Sequence, residues 1–105
     1  MAGQELAREL GATPVTSRAV RVKITGLVHG VVFRATMAHV ASDYGVRGWV
    51  RNHPDGFVQA FLEGEEEDVE RVLEWAKRGP PRARVDNIAI QKAAPRNSRG
   101  FKIEG

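Results

Sequence analysis

The sequence predicts an α+β sandwich in which two helices lie on one face of an antiparallel sheet of four or five strands. Three observations support this fold class: one strictly alternating stretch, two stretches with a helical period, and a hairpin turn between those two. The chain has 105 residues, of which 42% are apolar. A chain of this length and composition suits one compact domain with a single hydrophobic core.

The first strand is predicted at "RAVRVKIT", residues 18–25, where Val20, Val22 and Ile24 alternate with polar or charged residues. This alternation is typical of a strand with one buried and one solvated face. A helix of about three turns follows, because apolar residues recur there at the spacing i, i+4, i+7 and i+11. These residues are Phe33, Met37, Val40 and Tyr44, and Gly45 follows them as a C-terminal cap.

A hairpin and a second helix come next. The segments "VRGWVRN" and "FVQAFLE" flank "HPDG", whose proline and Asp-Gly pair are typical of a hairpin turn. The second helix is predicted from Glu65 to Lys77, with acids in its first turn, basic residues at its end and "GPP" as its stop. This charge order matches the helix dipole. Its apolar stripe is Val69, Val72, Leu73 and Ala76.

Two further strands, "RVDNIAIQ" and "FKIE", complete the order β-α-β-β-α-β with a short extra strand at the end. Two helices on one face of an antiparallel sheet in this order form the ferredoxin-like, or split βαβ, two-layer sandwich. Residues 1–17 are interpreted as a flexible N-terminal arm, and residues 18–105 as the domain.

Composition excludes several classes of function. The chain has no cysteine, which removes thiol catalysis, iron–sulfur clusters and thiolate zinc sites and fits a reducing compartment. It has no apolar run long enough to span a membrane, and its N-terminus "MAGQELAREL" lacks the apolar block of a signal peptide. We therefore expect a soluble, cytoplasmic protein. The net charge is +3, and basic residues dominate residues 18–51, which indicates an anionic partner.

The stretch "GLVHGVVFR", residues 26–34, places an arginine in the first turn of the first helix. A cation there faces the positive end of the helix dipole, at a cost of about 0.3 to 1 kcal/mol. An anion bound between Arg34 and the free N–H groups of the loop would reverse that cost. Gly26 and Gly30 allow the backbone to bend there. We therefore predict a phosphate-sized anion cradle formed by Val28, His29, Gly30, Val31, Val32, Phe33 and Arg34.

The same residues exclude other phosphate chemistries. A nucleotide P-loop needs Lys and Ser or Thr after its glycines, and this loop has neither. A cysteine phosphatase would place its thiolate six positions before the arginine, where this chain has Val28. His29 could accept a phosphoryl group or act as a general base, but no arginine precedes it as in histidine phosphatases. We interpret His29 as part of the loop structure or as a substrate contact.

These residues also carry a family resemblance. The run "GLVHGVVFR", followed by "GWVRN", resembles the two signature motifs of acylphosphatases, and together the two motifs are highly specific. The later segments "WAKRGPPRARV" and "GFKIEG" resemble the family's second-helix exit and last strand, so the likeness spans residues 18–104. The family's most frequent residue at position 29 is glutamine, whereas this chain has histidine.

The resemblance implies an enzyme that hydrolyses the carboxyl–phosphate bond of acyl phosphates to a carboxylate and inorganic phosphate. It implies the acylphosphatase form of the ferredoxin-like sandwich. It assigns phosphate binding to Arg34 and positioning of the attacking water to Asn52. It implies no metal and no organic cofactor. The expected partners are a small acyl phosphate and inorganic phosphate or another anion in the loop, with no nucleic acid and no membrane, and we expect a monomer.

Two other functions stay open. The same fold hosts RNA-binding modules, and "DGFVQAFL" carries the aromatics of a stacking strand at Phe57 and Phe61. That segment has an acid where the RNA motif needs Lys or Arg, so the RNA hypothesis fits less well. An inactive, anion-sensing module of a larger assembly is the other alternative, because the N-terminal domains of hydrogenase maturation proteins look similar. The chain ends directly after its last strand, which favours a free-standing enzyme.

Overall fold

The computed structural model of the protein describes residues 17–104. The described elements in chain order are β1 (Ser17–Leu27), α1 (Phe33–Asp43), β2 (Arg47–Asn52), β3 (Val58–Glu65), α2 (Glu66–Arg78), β4 (Arg84–Lys92) and β5 (Phe101–Glu104). The predicted order of elements is confirmed, and α2 is displaced by one residue from its predicted bounds. The predicted arm lies outside the described residues except for Ser17, which begins β1.

One five-stranded sheet has the order β4-β1-β3-β2-β5. The central strand pairs β1 with β3 and β3 with β2 are antiparallel, as is β1 with β4. The edge strand β5 instead runs parallel to β2, with Gly48 opposite Phe101 and Val50 opposite Ile103. The ferredoxin-like sandwich is confirmed, and its sheet is mixed where the sequence predicted a purely antiparallel one.

The parallel pairing follows from the loop between β4 and β5, which crosses from one edge of the sheet to the other. Along this crossing, the Ala93 N–H donates to the Ala19 carbonyl at 2.9 Å, and the Gly48 N–H donates to the Gly100 carbonyl at 3.0 Å. Since the loop crosses beside the start of β1 and of β2, β5 must leave it in the same direction as β2.

Glu63, on β3, anchors the middle of this crossing loop. Its side chain is 1% exposed and accepts backbone N–H groups from Arg96 at 3.1 Å, Asn97 at 3.1 Å and Ser98 at 2.8 Å. Burial alone raises the pKa of Glu63, but the Ser98 hydroxyl and the three N–H groups outweigh it and hold the pKa below its ordinary value. The carboxylate is therefore a charged internal latch.

The hydrophobic core lies between the sheet and the two helices. All four residues of the predicted α2 stripe are buried, and so are Val20, Val22 and Ile24 of β1. The predicted stripe of α1 is wrong at its end, because Tyr44 is 40% exposed and Ala41 is buried instead. Tyr44 stands one position beyond the last residue of α1, so the helical spacing no longer directs its side chain inward.

Candidate active site

A cleft of about 370 Å³ opens at the end of the sheet opposite the crossing loop. β1 and β2 both run antiparallel to β3, and β5 runs parallel to β2, so the carboxyl ends of β1, β2 and β5 meet there. Residues from all three strand ends and from the start of α1 line the cleft. They are Val28, Gly30, Val32, Phe33, Arg34, Ala35, Asn52 and Ile103.

The loop between β1 and α1 forms one wall of the cleft. Gly26 lies at a bulge of β1 with φ 130°, and a Cβ there would stand 2.0 Å from the Arg84 carbonyl oxygen. Gly30 has φ 69° and Val32 has φ 55°, both in the left-handed region. A left-handed residue followed by helical ones turns consecutive N–H groups toward one side and forms an anion-binding concavity. The glycines and this conformation agree with a bent, anion-binding loop.

Arg34 lies in the first turn of α1 and lines the cleft. That turn contains no acidic residue, and the residue before the helix, Val32, makes no side-chain capping hydrogen bond. The first N–H groups of any α-helix have no partner within the helix. The guanidinium, these N–H groups and the positive end of the helix dipole therefore act on the same small volume and favour an anion there.

Asn52 also lines the cleft. It is the last residue of β2, it is half-buried, and it pairs with Val58 across the hairpin. Its Oδ1 atom is buried and has no hydrogen-bond partner within residues 17–104. Leaving a buried amide oxygen without a partner costs about 1 to 3 kcal/mol. An unpaired polar atom in such a place indicates a ligand or a bound water as its partner.

His29 has a structural contact and does not line the cleft. Its Nε2 atom lies 2.9 Å from the Phe57 carbonyl oxygen. Because a carbonyl oxygen only accepts, Nε2 must carry the hydrogen and donate it. The bond ties the loop to the β2–β3 hairpin, where the His53 N–H donates to the same oxygen at 2.8 Å. Glutamine also has an N–H donor at its end, so the two residues can serve the same anchoring purpose.

The structure thus separates the predicted loop residues into two groups. Five of the seven, Val28, Gly30, Val32, Phe33 and Arg34, line the cleft together with Asn52. The other two are not among its lining residues: the His29 side chain bonds to the Phe57 carbonyl, and Val31 packs against the core. Within the part of the chain that is described, no group of three or more His, Asp or Glu side chains could hold a metal ion.

Sequence reasoning missed two residues of the cleft, Ala35 and Ile103. Ala35 follows Arg34 directly, and its place in the first turn of α1 was a usable signal. Ile103 carried no such signal, because it reaches the cleft only through the parallel pairing of β5 with β2. No local pattern in "GFKIEG" indicates that pairing.

A larger groove of about 950 Å³ lies between α1 and α2, away from Arg34 and Asn52. Five acidic residues and three arginines line it, and one of the arginines, Arg18, is already paired with Glu70 at 2.7 Å. The excess of acids disfavours a phosphate there. The smaller cleft is the better phosphate site on charge, although the groove has more than twice its volume. No helix among the described residues is long and apolar enough to cross a membrane.

Comparison with known proteins agrees with this fold. The family model described as Acylphosphatase matches residues 20–103. An acylphosphatase of Thermococcus kodakarensis is 46% identical over 84 residues, which cover 80% of this chain and 92% of that protein. The solved acylphosphatase of Coxiella burnetii superposes with a TM-score of 0.82 at 26% identity, over 99% of this chain and 100% of that one.

A third likeness is to a part of a much larger protein. Full-length HypF, solved in its phosphate- and nucleotide-bound form, matches 88% of this chain with a TM-score of 0.81 and 30% identity. The match covers 12% of HypF, in contrast to the nearly complete coverage of the two acylphosphatases. The family model, the relative and the solved structures agree, and this chain belongs to the acylphosphatase family.

Proposed function

We propose that the enzyme hydrolyses acyl phosphates in the cleft between α1 and the ends of β2 and β5. In this proposal Arg34 and the N–H groups of the loop and first helical turn hold the phosphoryl oxygens, and the Asn52 side chain orients the attacking water. The observation that carries it is that Arg34 lines the same cleft as Asn52, whose buried Oδ1 has no hydrogen-bond partner among the described residues.

The reaction needs one water and one acyl phosphate. The water oxygen forms a bond to phosphorus as the bond between phosphorus and the carboxyl oxygen breaks, and the bonding electron pair leaves with the carboxylate. Both protons of the water remain on the inorganic phosphate. The Asn52 Oδ1 accepts one O–H of the water, which holds the oxygen in line with the breaking bond.

The chemistry requires little more from the protein. A carboxylate is a stable leaving group, so it departs without a proton from a general acid. What remains is to neutralise the charge on the phosphoryl oxygens and to position the water. Arginine suits the first task because its planar guanidinium can bind two oxygens at once. An amide suits the second because it binds water without adding charge.

Hydrolysis of benzoyl phosphate by wild type and by Arg34→Ala, both with a chelator present, tests the proposal. We expect a loss of about 10²-fold or more in kcat, as is typical when a donor to a developing negative charge is removed. Arg34→Lys should fall between the two, because it keeps the charge and loses the bidentate geometry. Arg71→Ala is the matched control, since Arg71 lines the groove between the helices.

Unchanged turnover in Arg34→Ala would contradict the assignment of Arg34. A wild type without turnover would leave a folded anion-binding module and would reject the proposed hydrolysis. A small acyl phosphate as substrate, action as a monomer in the cytoplasm, and independence of cofactors and of nucleic acid stay predictions of this proposal.

A further inference from the structure

Apolar side chains stand at the mouth of the cleft. The large hydrophobic residues that are exposed among residues 17–104 are Leu27, Val32, Tyr44, Ile90 and Ile103. Two of these, Val32 at 69% exposure and Ile103 at 50%, line the cleft that contains Arg34 and Asn52. An anion site alone has no use for exposed apolar surface, because apolar groups solvate neither the phosphate nor the water.

The local structure gives no reason for valine at position 32. Its backbone is left-handed, with φ 55° and ψ 29°. A residue with a Cβ avoids this region, and a β-branched one avoids it most strongly, whereas glycine adopts it freely. Backbone strain of this kind persists where the side chain or the conformation serves a site. The exposed isopropyl group is therefore the feature that a function must explain.

Ile103 reaches the cleft from the edge strand β5. Its neighbour across the parallel pair, Val50, is fully buried, whereas Ile103 keeps half of its surface exposed. Val32 comes from the loop before α1 and Ile103 from the edge strand β5, so two elements far apart in the chain bring apolar groups to one cleft. The random exposure of one apolar residue on the surface would not explain why two of them line the same cleft.

The bound substrate defines what these groups would touch. With the phosphoryl oxygens held by Arg34 and the loop, the carboxyl carbon and its substituent must extend away from the cradle toward the mouth of the cleft. We propose that Val32 and Ile103 form an apolar wall that binds the acyl substituent, so that the enzyme prefers acyl phosphates with larger apolar acyl groups. This inference rests on the proposed function of the same cleft.

A series of straight-chain substrates tests the wall. Acetyl, butyryl and hexanoyl phosphate release carboxylates of similar basicity, so their intrinsic reactivity is nearly constant and only the apolar length changes. We expect kcat/KM to rise about tenfold from acetyl to butyryl phosphate, within the range that apolar contacts with a substrate supply. The comparison uses the ratio of the two values, which cancels errors in enzyme concentration.

Two variants remove the wall from either side. Ile103→Ser should reduce the butyryl-to-acetyl ratio to about twofold, because one apolar face of the mouth is lost. Val32→Gly should reduce it as well, and it keeps the fold because glycine accepts the left-handed backbone without strain. Ile90→Ser is the matched control: Ile90 is 42% exposed on β4 at the far edge of the sheet, and its ratio should equal the wild-type ratio.

The outcomes separate the two proposals. Hydrolysis of all three substrates at equal kcat/KM, or a ratio unchanged in both Ile103→Ser and Val32→Gly, would overturn the wall and leave the proposed function intact. Failure of the wild type to hydrolyse any of the three would overturn both. A ratio that falls equally in Ile90→Ser would also overturn the wall, because it would show a general effect of exposed apolar surface.

Discussion

The backbone N–H groups at the two ends of the sheet differ in whether an acidic side chain of the protein lies next to them. At one end, the N–H groups of residues 96–98 all donate to the buried carboxylate of Glu63. At the other end, the first turn of α1 has no acidic residue and no side-chain cap, and Arg34 adds a positive charge. The helix α2 resembles the first case, because acids occupy its first turn.

The difference indicates that one end binds a carboxylate of the protein itself and that the other favours an anion from solvent. A group of N–H donors that the protein itself supplies with a carboxylate is a structural latch, complete in the folded chain. A helix start with an added arginine and no acidic residue in its first turn gains from an anion that arrives from solvent. We therefore expect substitutions at the cleft to change activity more than stability, and substitutions at the latch to do the opposite.

The largest expected effect after that of Arg34→Ala is at Asn52. Asn52→Ala should lower kcat for benzoyl phosphate about 10²-fold, because the attacking water loses the group that orients it. The free energy of unfolding should stay close to the wild-type value, since the Oδ1 atom has no partner to lose within the described chain. Asn87→Ala, on the exposed surface of β4, is the control. Steady-state kinetics and denaturant unfolding of the same preparations measure both quantities.

The next effect is at the latch. Glu63→Gln should lower the free energy of unfolding by about 1.5 to 3 kcal/mol at pH 7, the usual value of hydrogen bonds to a charged group. One oxygen of glutamine cannot accept all three N–H groups. Glu104→Gln, an exposed change on β5, should leave stability unchanged. Turnover of the remaining folded Glu63→Gln enzyme should fall by much less than that of Asn52→Ala.

The latch also predicts a dependence of stability on pH. The pKa of Glu63 is lower in the folded protein than its ordinary value of 4.5. Its contribution is therefore complete above pH 4.5 and is lost as the pH falls through the lower, folded pKa. Unfolding curves between pH 6 and pH 3 should show a smaller loss for Glu63→Gln than for wild type. Equal losses would mean that other carboxyls carry the acid sensitivity.

A smaller effect is expected when an acidic residue is added to the first turn of α1 or removed from that of α2. Ala35→Glu places an acid in the first turn of α1 and should raise the free energy of unfolding by about 0.3 to 1 kcal/mol. The same carboxylate faces the cleft, so it should repel the substrate phosphate and lower kcat/KM several-fold. Glu67→Ala in α2 should lower stability by a similar amount and leave kcat/KM unchanged. A more active Ala35→Glu enzyme would contradict an anion site at this helix.

The smallest effect is expected at His29. His29→Gln should keep kcat/KM within about twofold of wild type, because glutamine can donate the same hydrogen bond to the Phe57 carbonyl. His29→Ala removes the donor and should loosen the loop, which lowers both stability and kcat/KM. If His29→Gln lost activity as strongly as Asn52→Ala, the imidazole would have a chemical role beyond anchoring.

Local chemistry explains what the sequence could predict. The bounds of α2 follow from its own acids, basic residues and "GPP", and the loop was recognised because Arg34 violates the charge order that α2 obeys. The Glu63 latch and the apolar wall could not be predicted from the sequence. Glu63 acquires its partners from the crossing loop, 33 to 35 residues further along the chain. Ile103 acquires its place from the parallel pairing of β5 with β2, which joins segments about fifty residues apart. Tyr44 fits the helical spacing but lies just beyond the end of α1, so the spacing predicts its burial wrongly.

The most direct test of an anion site at the start of α1 is a titration of the isotopically labelled protein with inorganic phosphate, followed by the NMR shifts of its backbone and side-chain amides. The account predicts shifts concentrated in residues 29–35 and at the Asn52 side chain, and their disappearance in Arg34→Ala. Shifts confined to the groove between the helices, or to the basic residues of β1 and β2, would contradict the account. An unchanged titration in Arg34→Ala would contradict it as well.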